Sequence, residues 1–573
     1  MARSIGIGKQ DFEKLRQANC FYIDKTSFIK EWWESNDDVT LITRPRRFGK
    51  TLNISMVEQF FSVNYAGRSD LFEDLSIWKE ERYRKLQGTW PVISLSFANL
   101  KETDYMTTRK KICQMLSDLY SDHNYLLKAE LLDEKEKEFF SRVTIDMSDV
   151  EATLSLHNLS KYLFRYYGKK VIILLDEYDT PMQEAYVAGF FRELSSFLRS
   201  LFNASFKTNP FLERAIMTGI TRVSKESIFS DLNNLEVVTA TTEKYETSFG
   251  FTEQEVFAAL NEYDLAEKKQ DVKMWYDGFI FGNQRDIYNP WSIINYLDKQ
   301  KLTTYWANTS SNSLIDQLIR EGSAEIKADF EILMDGGKLE KQIEEQIVFQ
   351  QLSENEEAVW SLLLASGYLK AESSRMDEQG ENRYLLSLTN TEVRVMFRGM
   401  IRSWFAKAQS GYNAFVKAFL KNDLKAMNAY MNRVALATFS YFDTGKKPSD
   451  YTEPERFYHG FLLGLMVELA DRYVITSNRE SGFGRYDVMI EPKNIQDDAM
   501  ILEFKVRDAG DEENLHATIE NALKQIEEEN YEACLTAKGI PKERIRKYGF
   551  AFEGKRVLIG SNDGSGRPGM KEN

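Results

Sequence analysis

The sequence predicts an α/β protein whose N-terminal half contains a parallel β-sheet, and three observations support this fold class. Unbroken apolar runs alternate with helix-length segments, as in a parallel sheet covered by helices on both faces. A charged loop containing Gly-Lys-Thr follows one of these runs and precedes a helical pattern. Near the C-terminus, two strand-like runs carry acidic residues. The apolar runs are residues 39–43, 92–97, 171–175 and 215–218.

The loop at residues 44–51 has the order strand, loop, helix that a phosphate-binding loop requires. Gly49 allows a tight turn, Lys50 can reach β- and γ-phosphates, and Thr51 can hold Mg²⁺. The partial positive charge of the helix N-terminus adds to the attraction for phosphate. Arg44 stands where the motif G-x-x-x-x-G-K-[ST] has its first glycine, so a charged loop before an ordinary helix is the alternative.

Arginines crowd the phosphate end of this loop, where most phosphate loops have small residues. We expect at least one of Arg44, Arg46 and Arg47 to contact the nucleotide or a neighbouring acid. Phe48 precedes the turn glycine and is assigned, with the arginines, to the nucleotide-binding loop.

The run at 171–175 ends in Asp176 and Glu177, at the edge of the sheet where α/β proteins bind ligands. We expect Asp176 to hold the Mg²⁺ shell and Glu177 to orient or deprotonate the attacking water. Asp179 is instead a candidate cap for the helix that begins near Pro181.

The run at 215–218 ends in Thr218, a polar residue suited to sensing a γ-phosphate, and Arg222 can neutralise developing charge. With the loop and the acidic pair in this order, the N-terminal half is predicted to be a P-loop NTPase sheet. ATP and Mg²⁺ are its expected ligands.

Two strand-like runs near the C-terminus, 485–490 and 500–506, can form a hairpin across a polar stretch. If the numbers of paired residues sum to 990, Asp487 lies opposite Glu503 with Cβ atoms about 5 Å apart. Facing carboxylates destabilise a hairpin unless a cation lies between them. A divalent metal held by both, beside Lys505, would therefore make a hydrolytic site. The alternative is a surface hairpin with its charges in water.

The order of helix, Asp, Glu-x-Lys and helix over residues 445–560 resembles the PD-(D/E)XK nuclease superfamily, in the small version found at the C-terminus of bacterial proteins. The resemblance implies an α/β nuclease-like domain. It also implies metal binding by Asp487 and Glu503, with Lys505 positioning the attacking water or stabilising charge.

The same resemblance assigns further residues of this segment. It implies that Glu455 is an auxiliary helix acid and metal ligand, and that Gln525 occupies a polar position on the later helix. Tyr486 stands in the place of the proline in the superfamily name, a position that varies.

Motifs across the N-terminal half resemble the AAA-ATPase-like family of bacterial proteins, in which Arg44 in place of glycine is usual. The resemblance implies a P-loop AAA-like ATPase domain that is commonly followed by the nuclease-like domain. The matching motifs are residues 22–26, 43–51, 174–179, 218–234, 275–279 and 288–292.

The predicted organisation has four parts. They are a P-loop AAA-like ATPase domain at 1–300, a helical, winged-helix-like region at 301–445, a PD-(D/E)XK nuclease-like domain at 446–560 and a disordered tail at 561–573. In the middle region a helix, a polar stretch at 372–382 and a strand at 384–388 are expected to pack against the ATPase as a lid rather than to bind DNA.

Composition and net charge limit the classes of function that the chain can have. The chain has 573 residues, 43% hydrophobic and 28% charged, as in ordinary soluble globular proteins. The three cysteines are far apart, and the sequence shows neither a signal peptide nor a bilayer-spanning run, which predicts a cytoplasmic protein without membrane contact. The net charge of −14 argues against broad coating of nucleic acid. A basic run at 538–556 either binds phosphates or forms a solvated face.

The leading interpretation is an ATP-binding and ATP-hydrolysing protein in which nucleotide regulates a Mg²⁺-dependent nuclease-like domain acting on DNA or RNA. The alternative is a nucleotide-switched binding or scaffold protein whose nuclease fold does not cut. A third interpretation is an ATPase whose C-terminal domain assembles homo-oligomers. The intact residues Asp487, Glu503 and Lys505 favour the first.

Overall fold

A computed structural model of the protein describes residues 2–221, 229, 232–307, 313–344, 355, 357–378, 380–406, 412–438, 469, 472–481, 484–508, 510–554 and 556–562. They form two compact units, residues 1–315 with 336–394 and residues 316–335 with 395–573. The predictions for Arg222, for Glu455 and for the tail from residue 563 fall outside the described residues.

A five-stranded parallel β-sheet forms the centre of the first unit, in the order β2-β3-β4-β1-β5. The four predicted strands are confirmed, and every residue of the third is buried, as its apolar run indicated. The fifth strand was not identified from the sequence, because it is short and Glu236 interrupts its apolar run. The strands are β1 (Val39–Thr43), β2 (Val92–Ser96), β3 (Val171–Asp176), β4 (Leu212–Gly219) and β5 (Leu235–Val238).

Helices surround this sheet, and several begin with side-chain caps. Ser148 and Glu151, for example, form a capping box at the start of α8. No helix in the described part of the chain has both the length and the apolarity to cross a membrane. The helices up to residue 299 are α1 (Phe12–Gln17), α2 (Ser27–Ser35), α3 (Lys50–Phe61), α4 (Glu81–Arg84), α5 (Tyr105–Asp122), α6 (Tyr125–Lys128), α7 (Glu134–Arg142), α8 (Asp149–Tyr167), α9 (Thr180–Ala188), α10 (Phe191–Phe202), α11 (Glu253–Glu262), α12 (Lys269–Tyr276) and α13 (Pro290–Lys299).

Two small antiparallel sheets complete the first unit, in the orders β6-β8-β7 and β10-β11-β9. Residues 372–376 of the polar stretch continue β10. Their polar side chains fit an exposed edge strand. The strands are β6 (Phe251–Thr252), β7 (Phe279–Phe281), β8 (Gln284–Tyr288), β9 (Leu339–Gln342), β10 (Leu369–Met376) and β11 (Asn382–Leu388). The helices of the middle region are α14 (Ser313–Glu321), α15 (Ala324–Met334), α16 (Ala358–Ala365) and α17 (Thr391–Ala406).

The segment between α16 and β10 packs directly against the loop at residues 44–51. Gly367 adopts φ +83°, and a Cβ atom added there would lie 2.7 Å from Cγ of Pro45. The ring of Phe48 contacts Phe279 edge-on at 4.7 Å between centroids, and Phe279 contacts Trp306 at 5.5 Å. The loop is therefore supported by aromatic packing and by a close approach that only glycine permits.

The second unit contains a mixed sheet in the order β12-β13-β14-β15-β16, in which only β14 and β15 pair in parallel. The predicted hairpin of two strands before a helix is confirmed. The elements are α18 (Tyr412–Leu420), α19 (Leu424–Thr438), β12 (Tyr473–Ser481), β13 (Gly484–Pro492), β14 (Ala499–Val506), helices Leu515–Glu528 and Ala533–Ala537, β15 (Ile545–Glu553) and β16 (Arg556–Ser561).

Two asparagines of α19 cover the outer edge of β16. Asn428 accepts from N–H of Ile559 at 2.8 Å and donates to its carbonyl oxygen at 2.9 Å. Asn432 makes the same pair of hydrogen bonds with Val557, at 3.0 and 2.7 Å. The two amides lie four residues apart, on one helix face, and match alternate residues of the strand. They satisfy backbone groups that would otherwise invite pairing with another strand.

The carboxylate of Glu392, at the start of α17, connects three parts of the first unit. It accepts hydrogen bonds from the hydroxyl of Ser292 at 2.7 Å and from the N–H groups of Tyr305 and Trp306 at 2.5 and 2.7 Å. Burial raises the pKa of Glu392, and these hydrogen bonds oppose that rise.

Replacing Glu392 with alanine should destabilise the first unit by about 2–4 kcal/mol, because buried N–H and O–H donors lose their acceptor. Differential scanning calorimetry of the full chain would measure the loss as a lower melting temperature of one transition. Glu267→Ala, at an exposed position, is the control. Equal melting temperatures for the Glu392 variant and the control would show that this carboxylate is not a structural connector.

Candidate functional site

The loop at residues 44–51 turns where Gly49, at φ +82°, caps the N-terminus of α3. Lys50 is the first residue of the helix, and its ammonium group donates hydrogen bonds of 2.9 Å to the carbonyl oxygens of Arg44 and Pro45. Because the ammonium group is buried, the pKa of Lys50 is lowered. The lysine therefore lies inside the turn, bonded to the loop's own backbone.

The carboxylate of Asp176 lies at the C-terminal end of β3, between the loop helix and β4. One oxygen accepts from the hydroxyl of Thr51 at 2.7 Å, and the other accepts from the hydroxyl of Thr218 at 2.5 Å. Burial raises the pKa of Asp176, and the two hydroxyl groups oppose that rise. Three residues assigned to one site from distant motifs are thus in direct contact.

Glu177 follows Asp176 at a sharp turn, with φ +52°, a conformation that is uncommon for residues other than glycine. Its carboxylate accepts from the hydroxyl of Thr180 at 3.2 Å. Its N–H group lies 3.4 Å from the hydroxyl oxygen of Thr218. The two adjacent acids therefore emerge at the same edge of the sheet, and only Asp176 is fully buried.

Asp179 has a role that the sequence analysis did not identify. It stands at the N-cap position of α9 but makes no capping hydrogen bond there. Its carboxylate instead accepts from the N–H groups of Ile220 and Thr221, both at 2.9 Å. Asp179 thus fixes the loop after β4 to the end of β3, a long-range contact for which the sequence carries no spacing signal.

The arginines of the loop have different surroundings. Arg44 is fully buried, and its guanidinium donates to the carbonyl oxygen of Thr239 at 2.6 Å and stacks on Phe281 at 4.5 Å. Burial lowers the pKa of Arg44 to about 9. Arg46 donates to Gln183 at 3.3 Å, and Arg47 lies 4.6 Å from the ring of Trp291.

These contacts bear on the expectation that an arginine of the loop meets an acid or the nucleotide. Among the described residues, no ion pair joins Arg44, Arg46 or Arg47 to an acid. Contact with the nucleotide stays a prediction. Phe48 is buried against the rings of Phe279 and Phe281, so its side chain supports the loop from within the core.

In the second unit, the predicted register is confirmed. β13 and β14 pair Val488 with Leu502, Met489 with Ile501 and Ile490 with Met500, so the paired numbers sum to 990. The next position places Asp487 beside Glu503 and Phe504, and an oxygen of Asp487 accepts from the N–H of Phe504 at 2.8 Å.

The two carboxylates belong to one polar cluster, in which Glu503 is buried and Asp487 is half-buried. Glu503 is 3% exposed, and one of its oxygens accepts from the amide of Gln525 at 2.5 Å. The same amide donates to the hydroxyl of Tyr531 at 3.0 Å. Burial raises the pKa of Asp487 to about 6, against the lowering effect of the Phe504 N–H and of the positive charge on Lys505.

This cluster brings together most of the predicted residues. Asp487, Glu503 and Lys505 lie near one another, and Gln525 joins them from the later helix, as the resemblance implied. The largest cause of the raised pKa of Asp487 is the loss of water around its carboxylate.

Two families match separate parts of the chain. Residues 6–229 match the family described as "Predicted AAA-ATPase" (AAA-ATPase_like), and residues 453–562 match the PD-(D/E)XK nuclease superfamily. The chain joins an AAA-ATPase-like domain to a PD-(D/E)XK nuclease superfamily domain. Strands β1 to β4 of the parallel sheet lie within the first match, and the mixed sheet lies within the second.

A curated relative extends the similarity beyond one domain. It is named "Uncharacterized protein in vnfD 5′ region", from Azotobacter chroococcum mcd 1. The two chains are 25% identical over 395 residues, which is 68% of each chain.

The basic run of the nuclease superfamily domain is largely engaged in contacts within that domain. Lys538 pairs with Glu491 at 2.5 Å, and Lys547 pairs with Glu532 at 2.5 Å. Arg544 donates to the carbonyl oxygen of Gln496 at 2.5 Å. The two acidic partners balance part of the positive charge of the run, which favours a solvated structural face over a phosphate-binding patch.

A further acidic cluster lies in the first unit, where Glu253, Asp277 and Asp286 bring carboxylate oxygens close together. The ammonium group of Lys273 lies among them, 3.9 Å from Asp277 and 3.7 Å from Asp286, and is bonded to Glu253. Burial and the neighbouring Asp286 raise the pKa of Asp277 to about 7. The lysine balances part of this charge, and we assign no metal to the cluster.

The raised pKa of Asp277 predicts a pH-dependent stability. Its folded-state pKa of about 7 lies above the ordinary value of 3.8, so the folded protein binds more protons between these values. Stability should therefore fall as pH rises from about 4 to about 7. The side chain in Asp277→Asn cannot ionise, so the variant escapes this loss. The melting temperature of the variant minus that of wild type should therefore increase as pH rises over that range, and then stay constant.

Thermal unfolding of both proteins at a series of pH values would test this. Asp264→Asn, at an exposed position, is the control and should follow the wild type at every pH. A melting-temperature difference for Asp277→Asn that does not change between pH 4 and 7 would contradict the assignment.

Proposed function

We propose that the AAA-ATPase-like domain binds and hydrolyses ATP with Mg²⁺, and that nucleotide regulates metal-dependent cleavage of DNA or RNA by the C-terminal domain. The observation that carries the proposal is that the predicted site residues of each domain lie in contact or side by side. Asp176 contacts Thr51 and Thr218 in one, and Asp487 lies beside Glu503 in the other. Action in the bacterial cytoplasm, with assembly into homo-oligomers, belongs to the same proposal.

In the ATP site, the residues of the loop would bind the phosphates, and the acids would position Mg²⁺ and the attacking water. The N–H groups at the start of α3 and the ammonium group of Lys50 would bind the phosphates, after Lys50 leaves the carbonyl oxygens of Arg44 and Pro45. Thr51 and Asp176 would hold Mg²⁺, which supplies positive charge to the phosphate oxygens.

The hydrolytic step depends on the residues at the end of β3 and β4. Glu177 would orient the attacking water and accept its proton, because it emerges next to Asp176 and is less buried. Thr218 would sense the γ-phosphate, because its hydroxyl donates a hydrogen bond to Asp176 beside the site. Asp179 would keep the two strand ends in register.

In the nuclease site, the donor set fits a hard divalent cation. Two neighbouring carboxylates supply oxygen ligands, that of Glu503 buried and that of Asp487 half-buried. The pKa of Asp487 is raised because the loss of water around it disfavours its charge. A metal held by Asp487 and Glu503 would supply Lewis acidity and an activated water. Gln525 fixes the orientation of Glu503, and Lys505 would stabilise negative charge on the phosphodiester.

Lys50→Ala should weaken the affinity for ATP at least tenfold, or ~1.4 kcal/mol, because the flexible cation of the loop is removed. Glu177→Gln should bind ATP normally but lose hydrolysis, since Asp176 and Thr51 remain. Calorimetry would measure binding and phosphate release would measure hydrolysis. Lys85→Ala, at an exposed position, is the control.

Equal ATP affinity in wild type, Lys50→Ala and Lys85→Ala would overturn the phosphate-loop assignment. Hydrolysis at the wild-type rate in Glu177→Gln would overturn the role given to Glu177 and leave binding unaffected.

Asp487→Ala and Glu503→Ala should each abolish cleavage of plasmid or single-stranded DNA while leaving ATP hydrolysis intact, because the sites lie in different units. Lys505→Ala should abolish cleavage but keep Mn²⁺ binding. Gel assays, phosphate release and calorimetry on the same preparations would measure the three properties. Asp511→Ala, an exposed acid of the same domain, is the control.

The protein could bind Mn²⁺ through Asp487 and Glu503 and yet cleave no DNA or RNA. That result would contradict the nuclease interpretation and support the alternative, a nucleotide-switched binding protein. Cleavage that survives Asp487→Ala would place the nuclease chemistry at other residues.

A further inference from the structure

The side-chain amide of Asn289 joins the phosphate loop to the start of α13. Asn289 is fully buried and stands at the N-cap position of that helix. Its side-chain oxygen accepts from the N–H groups of Trp291 and Ser292 at 2.9 and 3.3 Å, as a capping asparagine does. Its side-chain nitrogen donates to the carbonyl oxygen of Arg46 at 3.3 Å. One side chain therefore fixes the start of the helix and contacts the backbone of the loop.

The hydrogen bonds continue from α13 to the start of α17. The buried hydroxyl of Ser292 donates to one oxygen of Glu392 at 2.7 Å. The other oxygen of Glu392 accepts from the N–H groups of Tyr305 and Trp306 at 2.5 and 2.7 Å. Just after Glu392, the chain enters the second unit for the last time. A series of hydrogen bonds thus leads from the loop to the point where the chain leaves the first unit.

Bound phosphates would act on the segment of the loop that Asn289 contacts. Lys50 donates to the two carbonyl oxygens directly before Arg46, and it would leave them when it binds phosphate. The next residue, Arg47, is at φ +65°, a conformation that is uncommon for residues with a Cβ atom. The bond from Asn289 to Arg46, at 3.3 Å, is longer than the usual N–H···O distance. A loop fixed by phosphates would therefore change the strength of this bond.

We propose that Asn289 is a positioning residue that carries the effect of bound nucleotide from the phosphate loop to Glu392. The inference rests on the proposed ATP site and names the route of its regulation. When ATP fixes the loop backbone, the bond from Asn289 to Arg46 tightens, and α13 then holds Ser292 against Glu392 more firmly. A ligand that orders one end of such a series lowers the cost of ordering the other end, which is a coupling free energy.

Aromatic contacts offer a second connection between the loop and the same region. Phe48 contacts Phe279 at 4.7 Å between centroids, and Phe279 contacts Trp306 at 5.5 Å. Ring pairs keep their attraction over a range of distances and angles, so small shifts cost them little. A buried hydrogen bond is directional, and losing it leaves polar groups without a partner. The series through Asn289 is therefore the stronger candidate for transmitting a small movement of the loop.

The test separates the two functions of the Asn289 side chain. Asn289→Ser removes the amide donor and keeps a hydroxyl that caps α13. Asn514→Ser makes the same change at the exposed N-cap of helix Leu515–Glu528 and is the control. Calorimetry on the full chain measures binding of AMP-PNP, a non-hydrolysable ATP analogue, with Mg²⁺. Hydrogen exchange followed by mass spectrometry, with and without the analogue, measures the N–H groups of Tyr305 and Trp306.

In wild type and control, AMP-PNP should slow the exchange of these two N–H groups about fivefold or more, and in Asn289→Ser the slowing should fall below about twofold. The variant should still bind the analogue, because Lys50 and the N-terminus of α3 are unchanged. Ser292→Ala removes the hydroxyl that joins α13 to Glu392 and should lose the slowing in the same way.

Two results would overturn the role of Asn289 and leave the ATP site intact. They are binding of AMP-PNP without slowed exchange in wild type, and equal slowing in wild type and Asn289→Ser. A wild-type protein that does not bind AMP-PNP would overturn the proposed ATP site, and this inference with it. The calorimetric measurement therefore distinguishes failure of the ATP site from failure of the route through Asn289.

Discussion

The carboxylate of Asp176 is the point at which three parts of the AAA-ATPase-like domain meet. It receives hydrogen bonds from Thr51 on the loop helix and Thr218 on β4, while its own backbone ends β3. A buried carboxylate is costly unless it is hydrogen-bonded, so these strand ends and the helix must keep their positions. Asp179 adds a second buried link, to the loop after β4. The arrangement of the phosphate loop and the acidic pair depends on these two side chains.

Much of this arrangement could be predicted from the sequence, because its signals are local. Apolar runs identified four parallel strands, and the order of loop, Asp-Glu and polar threonine identified the residues that meet at Asp176. The register that brings Asp487 to Glu503 entered the sequence analysis as an assumption, and the pairing of β13 with β14 confirms it. A shift by one residue would have reversed the faces.

The features that escaped prediction are contacts between residues far apart in sequence. Asp179 looks like a helix cap locally, but its partners lie on another strand. Asn428 and Asn432 resemble ordinary surface residues until β16 is placed beside them. The basic run of the nuclease superfamily domain was ambiguous, because its acidic partners Glu491 and Glu532 come from other elements.

The central claim is that one chain joins an ATP site to a nuclease site that responds to it. Incubating the purified protein with plasmid and single-stranded DNA, with and without ATP and with Mg²⁺ or Mn²⁺, tests this most directly. The account predicts cleavage that requires metal and whose rate changes when ATP is added. Metal-dependent cleavage at the same rate with and without ATP, in a preparation that binds ATP, would contradict it.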